Sequence, residues 1–142
     1  MSKVLYTGGT FDIFHAGHVN FLQMCFQVCE EIVVSLNTDD FIERYKGTPP
    51  IFSYSERKSC LESCRYVGRV VENVGGEDSK PSILQSKANI IAVGNDWCQK
   101  DYYKQMSFSQ EWLDANNITL IYLPYTLGIS SSEIIKKIKI SV

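Results

Sequence analysis

The sequence predicts an α/β protein, a Rossmann-like three-layer α/β/α fold built on a five-stranded, mainly parallel sheet. Apolar runs of strand length recur at residues 3–7, 31–36, 69–74, 89–93 and 119–123, and amphipathic segments separate them. Ile32-Val33-Val34 and Ile90-Ile91-Ala92-Val93 are apolar without alternation, the pattern of parallel strands covered on both faces by helices. At 142 residues the chain can bury a continuous core without disulfides or metals, so one domain is expected over residues 1–142.

Each element has its own signal. The first strand runs into Gly8-Gly9-Thr10, and after His18 the residues Val19, Leu22, Phe26 and Cys29 follow helical spacing. The second strand ends at Asn37-Thr38-Asp39. Residues 44–50, Arg-Tyr-Lys-Gly-Thr-Pro-Pro, break the periodicity and read as a mobile basic loop. A second helix is predicted over residues 55–66, carrying Cys60, Leu61 and Cys64, and residues 75–79 read as a polar turn. Gly94-Asn95-Asp96-Trp97 follows the fourth strand. After the fifth, Ser130 and Glu133 form a capping-box pattern ahead of an apolar helical stripe.

Charge and composition narrow the function classes. A net charge of −2 leaves no broad basic surface, so no nucleic-acid partner is expected and any anion site must be local. The opening apolar run is too short for a signal peptide and no stretch approaches the length of a membrane span. A cytoplasmic protein with no membrane partner is expected. Four of the five cysteines fall at Cys25/Cys29 and Cys60/Cys64, a spacing open to zinc; burial as small apolar residues is the simpler reading.

In open α/β sheets ligands bind beyond the carboxyl ends of the strands, which is where the chemical motifs of this chain fall. Thr7-Gly8-Gly9-Thr10-Phe11-Asp12-Ile13-Phe14-His15-Ala16-Gly17-His18 places two histidines where a strand turns into a helix. Glycines admit phosphate oxygens, N–H groups at the helix start attract anions, and imidazoles donate to charge that develops in phosphoryl transfer. Alternatives for the pair are a helix cap with a packed partner, or zinc, for which no third ligand stands at useful spacing. Gly128-Ile129-Ser130-Ser131-Ser132 offers hydroxyls and N–H groups for β- and γ-phosphates. Lys46 is a candidate phosphate clamp, with Arg44 beside it, and Arg57 a candidate to bind a second substrate's phosphate or to cap the site. Asp96 and Trp97 suit a nucleobase, the first as acceptor from an amino group and the second by packing.

Taken together, Gly-Gly-Thr-Phe-Asp-Ile-Phe-His-Ala-Gly-His, Lys46-Gly47, Ser55-Glu56-Arg57-Lys58, Arg65-Tyr66-Val67, Gly94-Asn95-Asp96-Trp97 and Gly128-Ile129-Ser130-Ser131-Ser132 resemble the cytidylyltransferase family, most of all its glycerol-phosphate branch. The resemblance spans nearly the whole chain. It implies a Rossmann-like homodimer that joins CTP to glycerol 3-phosphate with Mg²⁺, giving CDP-glycerol and pyrophosphate. His15 and His18 would then stabilise the α-phosphate and the leaving group, and Gly9, Thr10 and Phe11 would contact the nucleotide. Lys46 would bridge both substrates' phosphates. Tyr125, Thr126, Gly128, Ile129, Ser130, Ser131 and Ser132 would line the nucleotide side, and Arg44, Arg57 and Lys80 the acceptor side. The chain departs from the family where Tyr125-Thr126-Leu127 replaces Arg-Thr-Glu, where Arg44-Tyr45-Lys46 replaces a lysine pair, where Asn95 replaces an aspartate, and where Lys80 only approximates a family lysine. Other phosphorylated acceptors (phosphocholine, phosphoethanolamine, a sugar phosphate), ATP in place of CTP, or nucleotide binding without catalysis are the alternatives.

Overall fold

Strands β1 (Val4–Gly9), β2 (Glu31–Leu36), β3 (Arg69–Glu72), β4 (Ile90–Gly94) and β5 (Thr119–Leu123) form one sheet in the order β3-β2-β1-β4-β5. Every neighbouring pair is parallel, so the sheet is parallel throughout rather than mainly so. The computed structural model describes residues 2–96, 100–124 and 126–141. Seven helices connect the strands among these residues: α1 (Ala16–Phe26), α2 (Asp39–Lys46), α3 (Tyr54–Glu62), α4 (Lys80–Ser86), α5 (Tyr102–Met106), α6 (Gln110–Ala115) and α7 (Ser131–Ser141).

The unalternating strands bury both faces. On one side Leu5, Ile32, Val34, Leu36 and Ala92 pack with Leu22 and Cys25 of α1 and Leu61 of α3. On the other, Tyr6, Ile91 and Val93 pack with Ile83 of α4, Tyr102 of α5 and Leu113 of α6. Each fully buried aliphatic side chain contributes about 1.5–3 kcal/mol of transfer free energy, so the two apolar layers hold the sheet between the helices. The chain winds from β1 to β3 on one side of β1, then crosses to β4 on the other. The switch point therefore lies at the carboxyl ends of β1 and β4, where Gly9 and Gly94 emerge.

Several element boundaries differ from the sequence reading for local reasons. Residues 44–46 are the last turn of α2, not a mobile loop. Thr38 caps the start through Phe41 N–H, Asp39 and Asp40 occupy the first turn, and Arg44 and Lys46 the last, in keeping with the helix dipole. Gly47, at φ 83°, ends α2 in the left-handed conformation that glycine adopts without strain. A capping box between Ser53 and Glu56 starts α3 one residue early, and the helix closes at Ser63 rather than running to Tyr66. β3 stops at Glu72 because Val74 N–H leaves the ladder for Ser82 Oγ.

Cys25 lies in the core, Cys29 and Cys64 pack against it, and Cys60 is half-buried. Among the described residues no group of three or more His, Cys, Asp or Glu side chains could hold a metal ion. No described helix is long and apolar enough to cross a membrane.

Candidate active site

The segment from Thr10 to His15 crosses the switch point with its backbone bent hard. Phe11 and Ile13 both sit in the left-handed region, at φ 51° and 49°, a conformation that costs a non-glycine residue about 1–2 kcal/mol. The carboxylate between them holds the bend. Asp12 accepts from Ile13 N–H (3.1 Å) and, across the cleft, from Ile51 N–H (2.7 Å) and Phe52 N–H (2.8 Å), while its carbonyl accepts from Ser131 Oγ. One residue thus joins three walls of the site.

The two histidines start α1 as a reciprocal cap. Gly17 N–H donates to His15 Nδ1 (3.1 Å) and His15 N–H donates to His18 Nδ1 (3.2 Å). A backbone N–H only donates, so both Nδ1 atoms are acceptors and each neutral ring carries its proton on Nε2. The helix-cap role weighed in the sequence is therefore present, and it fixes the tautomer that leaves Nε2–H for a ligand. Gly17 is required by close approach: a Cβ there would lie 2.9 Å from His15 Cε1 and 3.2 Å from Ile129 Cγ2.

Electrostatics keep both rings neutral. The imidazoles stack at 3.7 Å with 22° between planes, and Phe11 and Phe14 approach His18 at 5.1 and 5.4 Å. Burial, reinforced by the neighbouring His15 and opposed by Asp12, pushes His18 down to about 3; burial lowers His15 as well. His15 Nε2 is buried with no hydrogen-bond partner among the described residues. A buried donor without a partner is costly, and an anionic ligand would satisfy it.

Two adjoining clefts meet at this pair. One, of about 410 Å³, is lined by His15, His18, Lys46, Ser130, Ser131 and Ser132. The other, of about 360 Å³, opens across the carboxyl ends of β1 to β4 and includes Gly9, Asn37, Tyr45, Asn73, Asp96 and Gln105. Thr10, Phe11, His18 and Lys46 line both. At the start of α7, Glu133 N–H donates to Ser130 Oγ (3.1 Å), as the capping pattern predicts. Thr126 Oγ1 accepts from Asn20 Nδ2 (3.3 Å), Gly128 turns at φ 78°, and Ile129 packs on the His15–Gly17 turn. Trp97 and Tyr125 lie outside the described residues.

Three expected substrate contacts are placed elsewhere. Arg57 is fully buried: Nε donates to the Phe52 carbonyl (3.0 Å), Nη1 to the Thr10 and Asn37 carbonyls (both 2.9 Å), and Nη2 pairs with Asp39 at 2.6 Å. It ties together the loops after β1 and β2 and does not reach a substrate phosphate. Lys80 donates to the Ser107 carbonyl and pairs with Asp78 at 2.9 Å, outside both clefts. Arg44 pairs at 3.8 Å with Glu77 on the rim of the second cleft, and of the basic residues expected at the site only Lys46 is itself a lining residue. The sequence reading missed Asp12, Asn37 and Asn73. Asp12 stood inside the histidine run and Asn37 on the ligand edge, so position was the available signal. Asn73 fell inside the run read as the third strand, residues 69–74, where nothing distinguished it.

Comparison with known proteins agrees with this geometry. The sequence model of the family described as Cytidylyltransferase-like matches residues 6–137. The chain is 34% identical over 139 residues to a glycerol-3-phosphate cytidylyltransferase of Bacillus subtilis (strain 168), an alignment covering 97% of this chain and 98% of that protein. It is 36% identical over 137 residues to an FAD synthase of Pyrococcus horikoshii, covering 92% and 88% respectively. Among solved structures, the lipopolysaccharide core biosynthesis protein from Thermoplasma volcanium GSS1 superposes with a TM-score of 0.70 at 26% identity, over 89% of this chain and 98% of that one. With its parallel sheet, its switch-point histidines and these relatives, the chain belongs to the cytidylyltransferase-like family of nucleotidyltransferases.

Proposed function

We propose that this protein transfers a cytidylyl group from CTP to glycerol 3-phosphate, releasing pyrophosphate and forming CDP-glycerol. The observation that carries the transfer chemistry is the pair of neutral histidines, which line a cleft with Lys46 and the serines of α7 and whose caps leave Nε2–H uncommitted. A phosphate oxygen of the acceptor attacks the α-phosphorus in line. The new P–O bond forms as the bond to the β-phosphate oxygen breaks, and pyrophosphate leaves with that electron pair. The attacking group is already an anion, so no side chain has to remove a proton; orientation and charge stabilisation supply the rate. Donors held in place by a helix cap need no reorganisation as charge develops. In this reading Lys46, which lines both clefts, neutralises phosphates of both substrates.

Mg²⁺ belongs to this reading as a companion of the triphosphate. Both Asp12 oxygens are committed to backbone N–H groups, and no described cluster offers three ligands, a donor set that suits a cation arriving chelated by phosphates. Such an ion would supply further neutralisation of phosphate charge. A homodimer also belongs to the reading; Ile138 and Ile140 leave apolar surface exposed on α7, and sedimentation would measure association.

The choice of CTP and glycerol 3-phosphate rests on a relative that matches nearly the full length of both chains. Adenylyl transfer to another phosphorylated acceptor is the second reading. It draws on the 36% identity to an FAD synthase and on Tyr125, which stands where the resemblance expects arginine. Pyrophosphate release measured for CTP and ATP against glycerol 3-phosphate, phosphocholine, phosphoethanolamine, sugar phosphates and FMN separates them. Turnover with CTP and glycerol 3-phosphate is expected; turnover confined to ATP, or to another acceptor, replaces this assignment.

A further inference from the structure

The cleft that opens across β1 to β4 contains a pair of side-chain amides whose orientation can be derived. Asn73 Nδ2 donates to the Gly76 carbonyl (3.0 Å), which can only accept, so the atom there is nitrogen. The same Nδ2 lies 3.0 Å from the Asn37 side chain, so the Asn37 atom it meets is Oδ1. Asn37 Nδ2 is thereby turned to Thr10 Oγ1, at 3.3 Å. Ser82 Oγ donates to Asn73 Oδ1 (3.4 Å) and extends the chain of bonds into the protein.

The Asn37 backbone is fixed as firmly. Its N–H donates to the Gly9 carbonyl (3.0 Å) and its carbonyl accepts from buried Arg57 (2.9 Å). Asn73 has spent both amide protons, whereas Asn37 retains one Nδ2–H and one Oδ1 lone pair without a partner among the described residues. A donor and an acceptor on one rigid amide, on the wall of a cleft shared with His18 and Lys46, complement a group that both accepts and donates. A hydroxyl is such a group; an ammonium only donates and a carboxylate only accepts.

We infer that Asn37, oriented by Asn73, is a specificity-determining residue that reads a hydroxyl carried by the phosphorylated acceptor. This rests on the nucleotidyl-transfer reading above. The acceptor, rather than the ribose of the nucleotide, is assigned because Asn37 and Asn73 follow β2 and β3. Of the nucleotide contacts implied by the resemblance, Ser130, Ser131 and Ser132 line the other cleft, and Asp96, on the far edge of this one, follows β4 on the other side of β1.

The test compares kcat/KM for glycerol 3-phosphate and for 3-hydroxypropyl phosphate, which lacks the central hydroxyl, with CTP and 2′-deoxy-CTP as parallel arms. The wild-type protein is expected to prefer glycerol 3-phosphate by about tenfold or more, and Asn37→Ala to bring that ratio close to one. Asn37→Asp keeps the oxygen that Asn73 needs and loses the N–H, which guards against a folding artefact. It is expected to shift the ratio of ethanolamine phosphate to glycerol 3-phosphate upward by about tenfold. Equal losses on both acceptors in Asn37→Ala, with an unshifted ratio in Asn37→Asp, would overturn the inference and leave the transfer reading intact. Loss of discrimination between CTP and 2′-deoxy-CTP, with acceptor discrimination unchanged, would overturn it in favour of the ribose. A wild-type protein active only with acceptors that carry no hydroxyl overturns both this inference and the glycerol 3-phosphate assignment.

Discussion

Two helices, α1 and α7, point their N-termini into the same cleft, yet they are capped by different means. At α1 the capping atoms belong to His15 and His18, and the far nitrogen of each ring is left for a ligand. At α7 two of the three serine hydroxyls are engaged locally: Ser130 accepts from Glu133 N–H and Ser131 donates to the Asp12 carbonyl. A serine that accepts in a cap keeps its own O–H, but on the same atom beside the capped N–H, whereas an imidazole can cap with one nitrogen and donate with the other on the far side of its ring. The start of α1 therefore joins fold and chemistry in the same side chains, and the start of α7 chiefly anchors a wall.

Substitutions at the two helix starts should then fail differently. His18→Asn offers a side-chain oxygen for the His15 N–H and removes the Nε2–H donor. We expect kcat to fall about 10²–10³-fold with thermal unfolding changed little, a separation that loss of fold would not give. Gly17→Ala drives a methyl group against the His15 ring and Ile129, and a ten- to hundredfold loss of kcat/KM is the expected outcome, read with circular dichroism unchanged.

A third prediction concerns pH. Native His18 stays neutral down to about 3, while an unfolded histidine takes up a proton near 6.5. Between those values the unfolded state binds more protons, so this residue's contribution to stability is complete above about 6.5 and is lost as pH falls toward 3. The slope for one proton is about 1.4 kcal/mol per pH unit. Urea unfolding at several pH values should show it in the wild-type protein and reduced by one proton's worth in His18→Asn. The smallest effect is expected at α7: Ser130→Ala removes an ordinary cap, costing about 1 kcal/mol of stability and raising the KM for nucleotide only a few-fold. A kcat collapse there as deep as in His18→Asn would erase the contrast between the two helix starts.

The sheet was legible because burial on both faces writes itself into runs such as residues 90–93, and the switch point follows from strand order alone. The histidine run was legible because glycine, phosphate-seeking amides and imidazole coincide at one strand end. Tertiary roles were not. Arg57 reads in sequence as a cation that binds a substrate phosphate or caps the site, and only the convergence of the Thr10, Asn37 and Phe52 carbonyls with Asp39 shows why it is buried. Arg44 and Lys46 look like loop residues because α2 offers only Phe41 and Ile42 as buried apolar positions, too few for a period to emerge. Asn37 and Asn73 lie 36 residues apart, and no local pattern links two amides that meet only when β2 and β3 pair.

Lys46 lines both clefts, so in the proposed reaction, with one substrate in each, one cation would answer to two anionic ligands. Nucleotide and acceptor cannot then bind as independent events: occupancy of either cleft alters the field that Lys46 presents to the other. By thermodynamic linkage, whatever factor the nucleotide applies to the affinity for acceptor, the acceptor applies to the affinity for nucleotide. A single side chain shared between two clefts would then make substrate binding cooperative, in one sign or the other, before any bond is made.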